Sequence, residues 1–207
     1  MSLEILKKLN NMLHVGLRFH DESQDLFNYL SLGGFSQLHF YQFQTERINQ
    51  KTIKQLIIST YDIALQDNII SNANVLSLTK DKERRKLSLN ERFTIIKTAF
   101  SEYEKFECNN LIEYENIAKS LSDNNNLALY TYVLSIVKDV KSELMFLSDI
   151  ILAYESTDWD IPTIVQDQSD FYERYTYLLK QLHKNYDTFH HFNSALDKKS
   201  RGIKHGN

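Results

Sequence analysis

The chain has one cysteine, Cys108, one proline, Pro162, and no glycine between Gly34 and Gly202 in its 207 residues. A single cysteine excludes an internal disulfide and every metal motif built on several thiolates. A reducing, cytoplasmic setting is the expectation. So few glycines exclude a turn-rich β fold, whose hairpins recruit glycine at positive-φ positions. No apolar run approaches bilayer-spanning length, and no charged start leads into the apolar middle of a signal peptide, so no membrane partner is expected. Phosphate-loop, dinucleotide-binding and serine-nucleophile motifs are missing as well. What remains is an ordinary globular composition, 42% hydrophobic and 25% charged, in a length that suits one domain. The expected class is all-α.

Periodicity supports that class. Leu129, Val133, Ile136, Val140, Leu144, Leu147 and Ile151 recur in steps of three and four, the spacing of one helical face. Phe171, Tyr175, Leu178, Leu182, Tyr186, Phe189 and Leu196 form a second such series. A third runs through Phe93, Ile96, Phe100, Tyr103, Tyr114, Ile117 and Leu121, broken by Glu107 and Asn110. Leu6, Leu9, Leu13, Leu17 and Phe27 mark the first helix, and a weaker one is expected from an N-cap at Ser36 to about Asn68. Gly33-Gly34 reads as the turn of a tight hairpin, and "SDNNN" (122–126) as a second short turn. The stretch 69–87 is long enough to return along a bundle. Short, long, short connections define a ferritin-like four-helix bundle with one long crossover, here with an additional C-terminal helix. Residues 1–155 are assigned to the bundle and 156–196 to a connection, broken by Pro162, and the fifth helix. Residues 197–207 are assigned to a flexible basic tail.

On that topology, "FNYLSLGGFSQLH" (27–39) resembles the first helix junction of the mini-ferritins, the starvation-induced DNA-protection family, with Phe35 and His39 matching. Residues 116–147 are similar to the second hairpin of that family. The resemblance implies iron oxidation at a site using a histidine on each side of the glycine turn and carboxylates further along the second helix. Of that set only His39 is present: Phe27, Phe43, Lys54 and Ile58 stand at the other positions. No Glu-x-x-His pair of the ordinary ferritin kind occurs either. The usual oxidation site is therefore expected to be lost, with no cofactor assigned.

Iron stays open as a ligand through a non-standard set, His39, His20, Glu22, Glu46 and Glu107, with packing and capping roles as the plainer reading. His183, Asp187, His190 and His191 lie along the fifth helix at a spacing that can hold a divalent ion or simply edge a solvated face. Cys108 has no neighbouring base that would make it a nucleophile. Charge is segregated: "KDKERRK" (80–86), with Arg84, Arg85 and Lys86, carries +3, and the last ten residues, with Lys198, Lys199, Arg201 and Lys204, carry +4 against a total of −3. Such residues suit phosphate contact. The expected function is that of a divergent mini-ferritin relative, a homo-oligomer (dimer or larger cage) that binds DNA or protein in stress protection. A metal oxidase or iron-binding protein and a helical adaptor are the alternatives.

Overall fold

The computed structural model describes residues 3–63, 87–124 and 126–203, with side chains described through residue 185. It contains five helices, α1 (Leu3–Tyr29), α2 (Gly33–Tyr61), α3 (Leu89–Asp123), α4 (Leu127–Ser156) and α5 (Ile161–Ile203), and no strand among the described residues. No helix is long and apolar enough to cross a membrane among those residues.

The apolar stripes bury one face of each helix, but in two separate clusters. At one end Leu6, Leu9 and Leu13 of α1 meet Ile53 and Ile57 of α2, Tyr114 and Ile117 of α3 and Val133 of α4. At the other end Phe27 and Phe35 meet Phe100, Leu147, Tyr154 and Trp159. α2 finishes in the first cluster, while Leu87, just before α3, is buried in the second. The connection between them therefore joins opposite ends of the bundle, as one crossover requires. α1 pairs with α2 and α3 with α4.

Element ends follow local chemistry. Ser88 and Glu91 form a reciprocal capping box at the start of α3. The Asn126 side chain accepts from the Leu129 N–H at the start of α4. Three boundaries differ from the sequence reading. The first hairpin turns at Leu30–Leu32, with Ser31 in the left-handed region at φ 62°, while neither Gly33 nor Gly34 has positive φ. Both glycines are already helical, so Ser36 lies within the first turn of α2, its N–H bonded to Leu32 O, and is not the cap. α2 stops at Tyr61 rather than near Asn68, because Asp62 adopts the left-handed C-cap conformation at φ 54°.

The third difference concerns Pro162. The connection from α4 is only 157–160, and Pro162 sits in the first turn of α5, where a missing N–H costs nothing. Asp160 accepts from the Thr163 N–H there, at 3.2 Å. α5 then lies over α2 and α4: Phe171 packs on Phe35 (5.2 Å between ring centroids) and Phe146 (5.8 Å), and Tyr175 on Tyr41 (5.7 Å). Gln168 Oε1 accepts from the Phe35 N–H, and Gln37 donates to Thr176. α5 thus runs parallel to α2. Its aromatic face is covered by its own bundle as far as Tyr175, while Phe189 and Phe192 lie outside the described side chains.

Candidate functional site

Between the two apolar clusters lies a layer of buried ionisable groups, supplied by all four bundle helices. His20 comes from α1, His39 and Glu46 from α2, Glu107 from α3 and Glu143 from α4. His20, His39 and Glu107 are each at most 2% exposed. Glu46 and Glu143 are partly exposed as residues, yet Glu46 Oε2 and Glu143 Oε1 are buried with no partner. Helical phase explains the grouping: His39 and Glu46 are two turns apart on α2, on the face that also carries Ile53.

The two imidazoles touch through Nδ1 atoms 3.1 Å apart, and His20 Nε2 lies 3.6 Å from Glu107 Oε1. Burial holds His20 down at about 3, and burial followed by the His20 charge holds His39 well below the usual imidazole range. Both rings are therefore neutral at neutral pH, and the His20–Glu107 contact is not an ion pair. Two assignments satisfy both contacts: His39 Nδ1–H donates to His20 Nδ1 with His20 Nε2–H facing an ionised Glu107, or a protonated Glu107 faces His20 Nε2 and His20 Nδ1–H donates to His39 Nδ1. In the first, His39 Nε2 keeps its lone pair. The His39 ring stacks on Phe27 (centroids 5.3 Å, planes 9° apart) and lies 4.6 Å from Tyr103, whose buried hydroxyl has no partner.

The carboxyls are shifted the other way. Burial raises Glu107 to about 7, a side-chain bond from Asn110 opposing it, and burial alone raises Glu143 to about 8. Glu46 is pushed well above its ordinary value by burial, then by Glu107 and Glu143. No lysine or arginine is buried among the described residues. Without a cation, this interior favours the neutral forms of its three carboxyls and two imidazoles, since each desolvated charge costs several kcal/mol.

Of the residues singled out from sequence, His20 contacts both His39 and Glu107, and Glu46 is joined to them through its electrostatic coupling to Glu107. Glu22 does not join them, since it pairs with Arg18 at 3.2 Å on the partly exposed side of α1. His183 is exposed, and the side chains of Asp187, His190 and His191 lie outside the described residues. So do Arg84, Arg85, Lys86 and Lys204, and the side chains of Lys198, Lys199 and Arg201, whose backbone continues α5. Cys108 is exposed on α3. Glu143 was not among the residues singled out from sequence: Leu144 beside it completes the stripe from Val140 to Leu147, so no break marked it as one marked Glu107.

The donor types suit a first-row divalent metal, since imidazole and carboxylate are its usual ligands. Among the described residues, however, no three of these side chains stand around one point as an ion's ligands do. The imidazole–imidazole bond occupies two of the donors.

A four-helix bundle with one crossover and a polar waist is a ferritin-like fold, and solved structures bear the fold out. A humanized archaeal ferritin superposes with a TM-score of 0.63 at 14% identity, over 83% of this chain and 97% of its own. An Archaeoglobus fulgidus ferritin engineered by site-directed mutagenesis into a closed form gives 0.60 at 12% identity, over 83% and 96%. No family model and no curated protein matches the chain. The likeness reaches the ferritin-like fold and stops short of the mini-ferritin branch.

Proposed function

We propose that the mid-bundle layer takes up a divalent first-row metal ion, with ferrous iron as the expected substrate of a divergent ferritin-like protein. The observation that carries this reading is a chain of buried ionisable groups from four helices, His39–His20–Glu107 in contact and Glu46 and Glu143 coupled to one another and, through Glu46, to Glu107, with no lysine or arginine buried among the described residues. A bound cation would offset the desolvation of the carboxyls. In the arrangement where His39 Nδ1–H donates to His20, His39 Nε2 offers a lone pair. Glu107 and Glu143, raised by burial to about 7 and about 8, must give up protons on loading, so binding releases protons and tightens as pH rises. The non-standard ligand set takes the place of the oxidation site whose usual residues are missing.

Anaerobic calorimetric titration with ferrous or cobaltous ion tests the reading. Glu107→Gln and His39→Ala should each weaken binding by about tenfold or more, as removal of metal partners does elsewhere. Proton release should appear as a dependence of the measured heat on buffer ionisation enthalpy. Affinity unchanged in both variants would overturn it, and so would a wild-type chain that takes up neither ion.

Assembly into a homo-oligomer belongs to the same proposal. α4 carries an outward stripe of Leu127, Leu134, Met145 and Leu152, between 39% and 73% exposed. Its spacing is symmetric about residues 139–140, which suits two antiparallel copies of α4, and Lys141 near its middle is held by Glu115 at 2.6 Å. Met145→Glu should then lower the mass measured by sedimentation. DNA contact through Lys198, Lys199, Arg201 and Lys204 is supported by charge segregation alone. Retention of duplex DNA at low salt, abolished by removing 198–207, is its test.

A further inference from the structure

The buried stripe of α1 repeats in steps of three and four through Leu6, Leu9, Leu13, Gly16, His20, Ser23 and Phe27. At Gly16 that repeat calls for a core side chain and finds none. Glycine is also the poorest helix former short of proline, so its place in the middle of a 27-residue helix needs a cause. A Cβ built there would meet, as its three nearest atoms, Cδ and Oε1 of Glu46 at 3.1 Å and Cγ at 3.4 Å. The volume that a side chain at 16 would fill is taken by the head of Glu46, reaching across from α2. Gly34 shows the other use of a close approach, since the atoms that would crowd a Cβ there belong to the Gln168 backbone and to Phe171. Gly34 fits one helix to another. Gly16 fits a helix to a single carboxyl.

That carboxyl is the one that ties the acidic members of the layer together. Glu107 on α3 and Glu143 on α4 both add to the burial that raises it. Neither of those two is raised by a pair of neighbours: burial acts alone on Glu143, and against a bond from Asn110 on Glu107. Glu46 Oε2 and Glu143 Oε1 are buried without hydrogen-bond partners. Neither oxygen must therefore give up a bond in order to take an ion.

We infer that Gly16 is a positioning residue of the metal site: its missing side chain lets the Glu46 carboxyl lie against α1, in the place from which it joins Glu107 and Glu143 on one ion. This rests on the metal-binding reading above and adds to it a residue with no donor atom of its own. An added methyl group at 16 would displace the carboxyl by about a few tenths of an ångström. The end of a flexible side chain yields to that readily, so the fold tolerates the change. A bound ion does not, because its ligands must be held to within about 0.5 Å.

Cobalt(II) titration of wild type, Gly16→Ala, Glu46→Ala and the double variant tests the role, read by calorimetry and visible absorption, with urea denaturation of each metal-free protein alongside. Gly16→Ala should be at least as stable as wild type, since alanine is the better helix former and only a side-chain end must move. It should nevertheless bind cobalt about tenfold more weakly and with an altered visible spectrum. A sounder helix paired with a poorer site is not what general loosening produces. Introduced into Glu46→Ala, the same substitution should leave the remaining affinity unchanged, because its route to the ion has gone. Wild-type affinity and spectrum in Gly16→Ala, where His39→Ala binds weakly, would overturn the positioning role and leave the metal reading standing. An equal loss of affinity with and without Glu46 would overturn it too. A wild-type chain that takes up no cobalt would remove both.

Discussion

The protons of the polar layer govern how the metal-free protein responds to pH. Glu107 and Glu143 hold protons in the folded state up to about 7 and about 8, whereas in the unfolded chain both ionise near 4.5. Between pH 4.5 and about 8 the folded state therefore binds more protons at these carboxyls than the unfolded one, and their contribution to stability falls as pH rises, by at most about 1.4 kcal/mol per pH unit for each group. His20 acts in the opposite sense: its folded value of about 3 lies below the unfolded 6.5, so its contribution falls as pH drops from 6.5 to about 3. Above 4.5 the two carboxyls outweigh the one imidazole, so urea denaturation should find maximal stability near pH 4.5. Glu143→Gln should flatten the alkaline limb, and an unchanged alkaline limb in that variant would show that Glu143 is ionised in the folded protein. Saturating metal should reverse the alkaline trend. At this scale the sequence disclosed Glu107 because it breaks an apolar stripe. Glu143 broke none, because partly buried Leu144 beside it completes the periodicity. Glu22 was included for its type, and only the fold shows its partner to be Arg18 at 3.2 Å, outside the layer.

Among the helices, the adjacent glycines show how local reading goes astray. Both suggested a turn, yet the turn lies before them and uses Ser31 at φ 62°. Gly34 is glycine for a reason 134 positions away in sequence: a Cβ there would collide with the Gln168 carbonyl oxygen and stand 2.8 Å from Phe171 Cβ. Nothing lies within 4 Å of a Cβ at Gly33. The pair therefore gives a sharp contrast. Gly34→Ala should loosen α5 from α2 and cost about 1–3 kcal/mol, the usual range for overpacking. Gly33→Ala should be neutral or stabilise by up to about 1 kcal/mol through helix propensity. Chemical denaturation of the two variants distinguishes them, and hydrogen exchange in α5 should rise only in Gly34→Ala. Equal stabilities would mean that α5 does not depend on that close approach. No pattern inside α2 carries this demand, which is why periodicity found the helix but misplaced its start and its glycines.

For the molecule as a whole, connectivity was legible because it depends on coarse features: long stripes, two short loops and one long one. The same stripes predicted a buried face on each helix but neither the split of the core into two apolar ends nor that α5 would cover the α2–α4 face, since an amphipathic helix alone does not state its partner. The waist between those ends is proposed as a metal site rather than a self-contained polar network of neutral imidazoles and protonated carboxyls. Anomalous diffraction from crystals grown with cobalt(II) distinguishes the two. A peak is expected at mid-bundle with His39 and at least one of Glu46, Glu107 and Glu143 as ligands, and with the His20–His39 bond broken. Crystals grown with the ion that show no peak between the two apolar clusters, with that 3.1 Å bond intact, would contradict it.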